Sequence, residues 1–278
     1  MNPTMTAARA GVIRGRTEIR QSLTNGQDLW NYFFPSVIFL VVMFFMKDAK
    51  VPGTTFSLGS RTLPSVIGMG VAFALVTLAM LLAVDREDGT LLRAKAIPNG
   101  MFGYLIGKIV QMSGVVLVGQ AFILIPSLIM LDGFTINWFT FLWVLVLGLV
   151  ATLPIGAVVG SMFESPRNAG VVMLPMMGLA AISGIFYPIS SMPEWLQGVA
   201  QVFPVYWLGL GMRSAMLPDS LSVAEIGESW RHLETLGVLG AWAVVGLLVA
   251  PIVMRRMARR ESGSNVAARR ERALQRVT

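Results

Sequence analysis

Residues 81–110 read LLAVDREDGTLLRAKAIPNGMFGYLIGKIV. The stretch leaves one apolar run at Val84 and enters another near Ile109, and between Asp85 and Lys95 it carries six charged side chains: Asp85, Arg86, Glu87, Asp88, Arg93 and Lys95. Apolar runs of membrane-crossing length on both sides of a compact charged segment make a hairpin whose turn lies in water. Gly89 and Pro98 break the chain on either side of a short helix expected at Leu91–Ala96. Six charges in water need no partner, so the residues alone leave two readings open: a solvated loop, or an element that docks on something.

Working outward, the whole chain is of this kind. Of its 278 residues 55% are hydrophobic and 13% charged, where a soluble domain carries about 25% charged. A run of about 20 apolar residues spans a hydrocarbon core of about 30 Å, and in lipid its backbone must satisfy itself, so it is a helix. Six spans can be drawn, at Trp30–Met46, Leu63–Val84, Ile109–Leu131, Trp138–Met162, Gly170–Pro188 and Thr235–Met254. The first is short and calls for tilt or local thinning of the bilayer. The fold class is therefore all-α integral membrane, with a segment 1–29, a six-span domain 30–254 and a basic tail 255–278.

Lysine and arginine set the orientation. Residues before Trp30 hold four, the 85–108 segment four, the 163–169 segment one, and the tail after Met254 eight; the intervening segments 47–62, 132–137 and 189–234 hold three, none and two. The excess places both termini and the charged hairpin in the cytoplasm, in a multi-pass cell-membrane protein. A tail so rich in arginine beside a span fits anionic lipid better than nucleic acid.

Ahead of the first span, Val12, Ile19 and Leu23 fall on one side of a helix, which suits an interfacial amphipathic helix; a basic leader without fixed structure fits the same residues. The segment 189–234 is semi-apolar and aromatic, broken by Pro193 and Pro204. Its pieces Pro193–Val202 and Val205–Leu217 are too short to cross, so they read as short re-entrant helices that need protein around them.

Chemical motifs fail on their ligands. Asp88-Gly89-Thr90-Leu91-Leu92-Arg93-Ala94 is superficially similar to the opening of phosphatidyltransferases that use CDP-alcohols, but no further aspartate follows until Asp132, across the membrane. Gly107-Lys108 lacks the rest of a phosphate loop, with Phe102 at the first glycine position and Ile109 at the hydroxyl position; Lys108 reads as a lysine snorkelling to the interface. There is no cysteine and one histidine, His232, so no metal site is expected. No titratable group falls in mid-span, as an ion-coupled carrier would need. Of the eighteen methionines, Met69, Met173, Met176 and Met177 could line an adaptable apolar path; they equally suit ordinary span positions.

Asp85-Arg86-Glu87-Asp88-Gly89-Thr90, followed by a short helix, Ile97-Pro98 and Gly107-Lys108, resembles the E-R-E-x-G-T, T-P and G-K run of ABC-2 type permeases, closest to their bacterial drug-resistance and antibiotic-export branch. Tyr187-Pro188-Ile189 with Met192-Pro193 and Trp195-Leu196, then Phe203-Pro204-Val205-Tyr206 with Arg213, resemble the family's later motifs, Phe203 standing where asparagine is usual. The resemblance covers about residues 15–255. It implies a coupling helix at 85–100, seated on a separate ATPase subunit through Asp85, Arg86, Glu87, Gly89, Thr90, Leu91, Leu92, Arg93 and Pro98. It further implies a connecting helix at 9–28 and an external gate at Tyr187, Pro188, Trp195, Pro204 and Tyr206. A substrate path past Met69, Phe73, Met173, Met176, Met177 and Phe186 would carry a hydrophobic drug, antibiotic or lipid-like compound outward. On this view the chain is not an enzyme and has no cofactor of its own. ATP and Mg bind the partner ATPase, and a second permease subunit completes a dimer in the bacterial membrane. An ion-gradient carrier and a non-transporting scaffold of the same fold stand as alternatives.

Overall fold

The computed structural model describes residues 3–50 and 57–260. Among them the chain forms eleven α-helices. Five are long and apolar enough to cross a membrane: α2 (Gly26–Met46), α3 (Leu58–Glu87), α5 (Gly100–Met130), α6 (Trp138–Gly160) and α11 (His232–Arg260). The remaining helices are α1 (Pro3–Ser22), α4 (Thr90–Lys95), α7 (Pro166–Ala169), α8 (Met173–Ile182), α9 (Glu194–Val202) and α10 (Pro204–Met216). Part of the basic tail, residues 261–278, lies outside the described residues, as does 51–56 of the segment after the first span.

The long helices start where side chains can take up their first amides. Asn25 accepts from the N–H groups of Gln27 and Asp28, Ser57 from that of Ser60, and Asn137 from that of Thr140. Because the cap is Asn25, α2 has 21 residues and begins four positions before Trp30. The helix thus extends one turn beyond the expected first span, through the mostly polar Gly26, Gln27, Asp28 and Leu29. Each long helix contains one proline, at 35, 64, 126, 154 and 251.

The fifth expected span, Gly170–Pro188, takes another form. Residues 166–182 are helical in pieces, α7, a 3-10 turn at Gly170–Val172, and α8. End to end they make a run of about 26 Å at 1.5 Å per residue. Beyond Ile182 the chain turns at Gly184, whose φ is +73°. A residue with φ in that range is ordinarily glycine, and a chain that turns there cannot continue the helix to Pro188.

The expected short helices are present as α9 and α10. Every residue of α10 except Ser214 is buried, because the helix is enclosed by α3, α6 and α11. A methyl added to Gly68 of α3 would stand 2.6 Å from the carbonyl oxygen of Leu208, and one added to Gly211 would stand 2.9 Å from Val144 of α6. Small residues let these backbones approach closely, as at helix contacts in lipid. Gly156 on α6 lies likewise against Leu75 of α3, at 2.6 Å. The protein that a non-crossing segment requires around it is thus supplied for α10, whereas α9 has only Ala200 buried.

At the N-terminus the sequence pattern finds only the flank of the packing face, where Ile19 meets Gly114 of α5. The helix α1 is present, but Val12, Ile19 and Leu23 are only half-buried, and the sealed positions are Gly11, Gly15 and Ser22. Gly11 sits against the backbone of Gly103 on α5, a methyl on Gly15 would come 2.6 Å from the carbonyl oxygen of Gly107, and one on Gly103 would come 2.7 Å from that of Ala7. Two pairs of glycines four residues apart thus interlock. What α1 presents to its neighbour is a small-residue groove, and α5 is that neighbour.

Candidate functional site

A cavity of about 520 Å³ opens near the middle turns of the bundle. Its wall comes from the first half of α2 (Tyr32, Pro35, Ser36, Phe39), the centre of α3 (Met69, Gly70, Phe73, Thr77), the centre of α5 (Met112, Val115, Gly119, Gln120), α8 and Phe186. No Asp, Glu, Lys, Arg or His is among its lining residues. Five of the residues expected on a substrate path stand there together: Met69, Phe73, Met173, Met177 and Phe186. Met176 does not. It turns the other way from Met177, into the core, and is 6% exposed, since successive residues on a helix point about 100° apart. The volume lies in the range of drug-sized ligand pockets, about 300–1,000 Å³, with the same predominance of apolar and aromatic wall.

At one end of the bundle stands the hairpin. Gly89, with φ +80°, turns the chain from α3 into α4, and Asn99, with φ 53°, turns it from there into α5. A left-handed residue suits each corner, and glycine or asparagine supplies it most readily. The residues expected to touch an ATPase divide here. Asp85 and Arg86 are buried, at 7% and 8% exposure, and Leu91 packs into the core at 2%. Arg86 donates to the carbonyl oxygens of Ser161 (3.2 Å) and Phe163 (2.9 Å), just past the end of α6, where the helix dipole favours a cation. Both charged residues are thus bonded within the chain rather than presented at the surface, unlike the exposed contacts expected of them. The solvent-facing part of the element is Asp88, Arg93, Lys95 and Pro98, with Glu87, Gly89, Thr90 and Leu92 half-exposed. Arg93 bonds the Thr90 hydroxyl at 3.1 Å.

Asp85 belongs to a junction that the sequence did not reveal. Lys108 lies 2.9 Å from Asp85 Oδ2 and 3.0 Å from Glu18 Oε2. The Tyr104 hydroxyl donates to Asp85 at 2.6 Å, and Arg14 pairs with Glu18 at 2.7 Å. Lys108 also donates to Gln111, which in turn donates to Ser22. Two cations and two carboxylates from α1, α3 and α5 thus balance in a site where Lys108 is 4% exposed. The snorkelling lysine is corrected: with two carboxylates brought in from other helices, Lys108 has no reason to reach for water.

The opposite end carries the segment expected as a gate. Pro204 and Tyr206 are sealed inside α10, whereas Tyr187 and Trp195 are 69% and 68% exposed, and Pro188 is exposed as well. The five residues do not form one constriction. What ties this end together is Arg213, which grips Glu225 with two nitrogens at 2.7 and 3.1 Å and also donates to Ser65 (2.9 Å) and to the carbonyl of Gly184 (3.3 Å). Arg231 donates to Gln201 at 2.7 Å and stacks over Trp207, tying the start of α11 to α9 and α10.

No curated protein matches the sequence. The family described as ABC-2 family transporter protein matches residues 17–251, which includes the hairpin, the cavity and the buried α10. The chain is a multi-pass membrane protein and belongs to the ABC-2 transporter family.

Proposed function

We propose that this chain is the permease subunit of an ATP-driven exporter for hydrophobic or amphipathic compounds. The observation that carries this reading is the cavity between α2, α3, α5 and α8, sized for a drug-like molecule and lined without a charged side chain. Permeases of the family generally pair with an ATPase subunit, and the exposed corner of the hairpin, Asp88 to Pro98, is the surface for one here. On this proposal both termini and the hairpin face the cytoplasm. ATP and magnesium bind the partner, a second permease subunit faces this one, and the chain itself carries out no bond-breaking chemistry.

Force delivered to α4 enters α3 and α5 directly, since Gly89 and Asn99 join it to both. It reaches α1 through Lys108. Those same two long helices form two walls of the cavity, so displacement of the hairpin changes the cavity's shape.

The test is ATP-dependent extrusion of a neutral apolar dye from vesicles holding the chain with its ATPase subunit. Arg93→Glu reverses an exposed charge on the hairpin, and Gly119→Phe places a ring in the cavity, where a β-carbon at 119 meets nothing within 4 Å. Arg93→Glu is expected to cut transport about tenfold with ATPase binding reduced. Gly119→Phe is expected to cut it similarly with ATPase binding intact. Full transport by both variants, or extrusion that follows a proton gradient without ATP, overturns the reading.

A further inference from the structure

Gln120 stands in the cavity wall and is 6% exposed. Its Nε2 donates to the carbonyl oxygen of Ile67 on α3 at 3.2 Å. Since that partner can only accept, the amide's orientation is fixed, with nitrogen toward α3 and oxygen away from it. Gln120 Oε1 is buried and has no hydrogen-bond partner among the described residues. An orphaned buried acceptor costs about 1–3 kcal/mol, which a folded protein ordinarily avoids. The neighbouring wall residue is Gly70, where a β-carbon would come 2.5 Å from Gln120 Nε2 and 3.7 Å from Oε1. Glycine at 70 is thus what leaves room for the amide at the cavity's edge.

The geometry points to Gln120 as a specificity residue that selects cavity occupants bearing a neutral hydrogen-bond donor, a hydroxyl or an N–H, on an otherwise apolar body. Gln120 lines the cavity but its Oε1 is sealed from it, so a donor carried by an occupant reaches the oxygen only when the amide turns. The terminal torsion of a glutamine is soft, and a small turn about it presents the oxygen to a donor. A wall without charge disfavours an ionised ligand, because a desolvated charge needs a partner there. A buried acceptor left without a partner favours a donor over a plain hydrocarbon or an ether. This inference rests on the cavity being the substrate path.

The probes are 9-anthracenemethanol and its methyl ether, which share one apolar body and differ in the donor. Binding to the purified chain in phosphatidylcholine nanodiscs is read by energy transfer from tryptophan, against empty nanodiscs. The wild-type chain is expected to hold the alcohol about fivefold more tightly than the ether, the usual worth of one neutral hydrogen bond. Gln120→Met, of similar length, is expected to bring the alcohol to the level of the ether while leaving the ether unchanged. Gly70→Ala, which pushes the amide from its seat without altering Gln120, is expected to reduce the preference and covers the case in which Gln120→Met fails to fold. Equal binding of the two probes to wild type, or an undiminished preference in the variants, overturns the specificity role while binding that Gly119→Phe abolishes leaves the cavity reading standing. Absence of binding by either probe overturns both.

Discussion

Lys108 and Arg213 are both nearly sealed from solvent, at 4% exposure each, yet they are held in different ways. Arg213 has one carboxylate, Glu225, twelve residues along the chain, gripped through two nitrogens. Lys108 is shared between Glu18 on α1 and Asp85 on α3, and it sits on α5 itself. The first arrangement fixes one loop against α10 by charge, with neutral ties to Ser65 on α3 and to the Gly184 carbonyl. The second makes three helices depend on a single ammonium group, beside the hairpin that enters and leaves α3 and α5. The end of the bundle expected to receive force is therefore stitched across three helices by charge, whereas at the other end the ion pair itself is local and only neutral bonds reach α3 and Gly184.

The largest effect should follow from cutting the stitch. Lys108→Met leaves two buried carboxylates with only Arg14 and the Tyr104 hydroxyl for company, and breaking a buried pair from one side costs about 3–5 kcal/mol. In SDS-titration unfolding from micelles the loss should be of that size. Hydrogen exchange should rise together in α1, at the end of α3 and in the hairpin. Removing all three groups, as Glu18→Leu, Asp85→Leu and Lys108→Met, should recover most of the stability, since the one charge left without its partner is Arg14, whose side chain is 38% exposed and can turn to water. Exchange that rises in α1 alone would show that Lys108 does not connect the three helices.

Arg213→Met should cost less, about 3 kcal/mol, at the lower end of the same range. Glu225 lies in a loop of 3-10 turns between Asp219 and Glu228, which can swing its carboxylate into water once the arginine is gone. Exchange should rise in residues 217–230 and around Gly184 and leave the hairpin as it was. Loosening of the hairpin by this variant would erase the contrast between the two ends.

How much of this was readable in advance depended on how far apart the partners lie in the chain. The hairpin, the short α9 and α10 and the five long crossings announce themselves through local contrast, with charge against apolar runs and proline at each break. The docking of α1 does not, because its signal is Gly11 and Gly15 matched to Gly103 and Gly107 some 90 residues later. Each pair is visible, but nothing local says that they meet. Lys108 was misread for the same reason: its carboxylates come from positions 18 and 85. The cavity was half legible. Met69 and Phe73 on α3, expected on a path, stand in its wall, but Met112 and Gln120 on α5 stand there too without a mark in the sequence, since a helix apolar on all sides gives no stripe to mark its inner face.

The smallest effect tests whether the charged centres deserve their rank. Thr152, 1% exposed on α6, is an uncharged tie between the same central helices. Its hydroxyl donates to Gly148 in its own helix at 2.8 Å and reaches the carbonyl of Val71 on α3 at 3.3 Å. One proton serves two acceptors, so the link to α3 is the weaker share. Thr152→Val keeps the shape and removes the hydroxyl. Neither carbonyl is left bare, because each lies inside a helix with its own backbone donor, so the cost should stay at or below about 1 kcal/mol. A loss as large as that from Arg213→Met would mean that close packing of α3 on α6 governs the bundle, and that the buried charges at its two ends only decorate it.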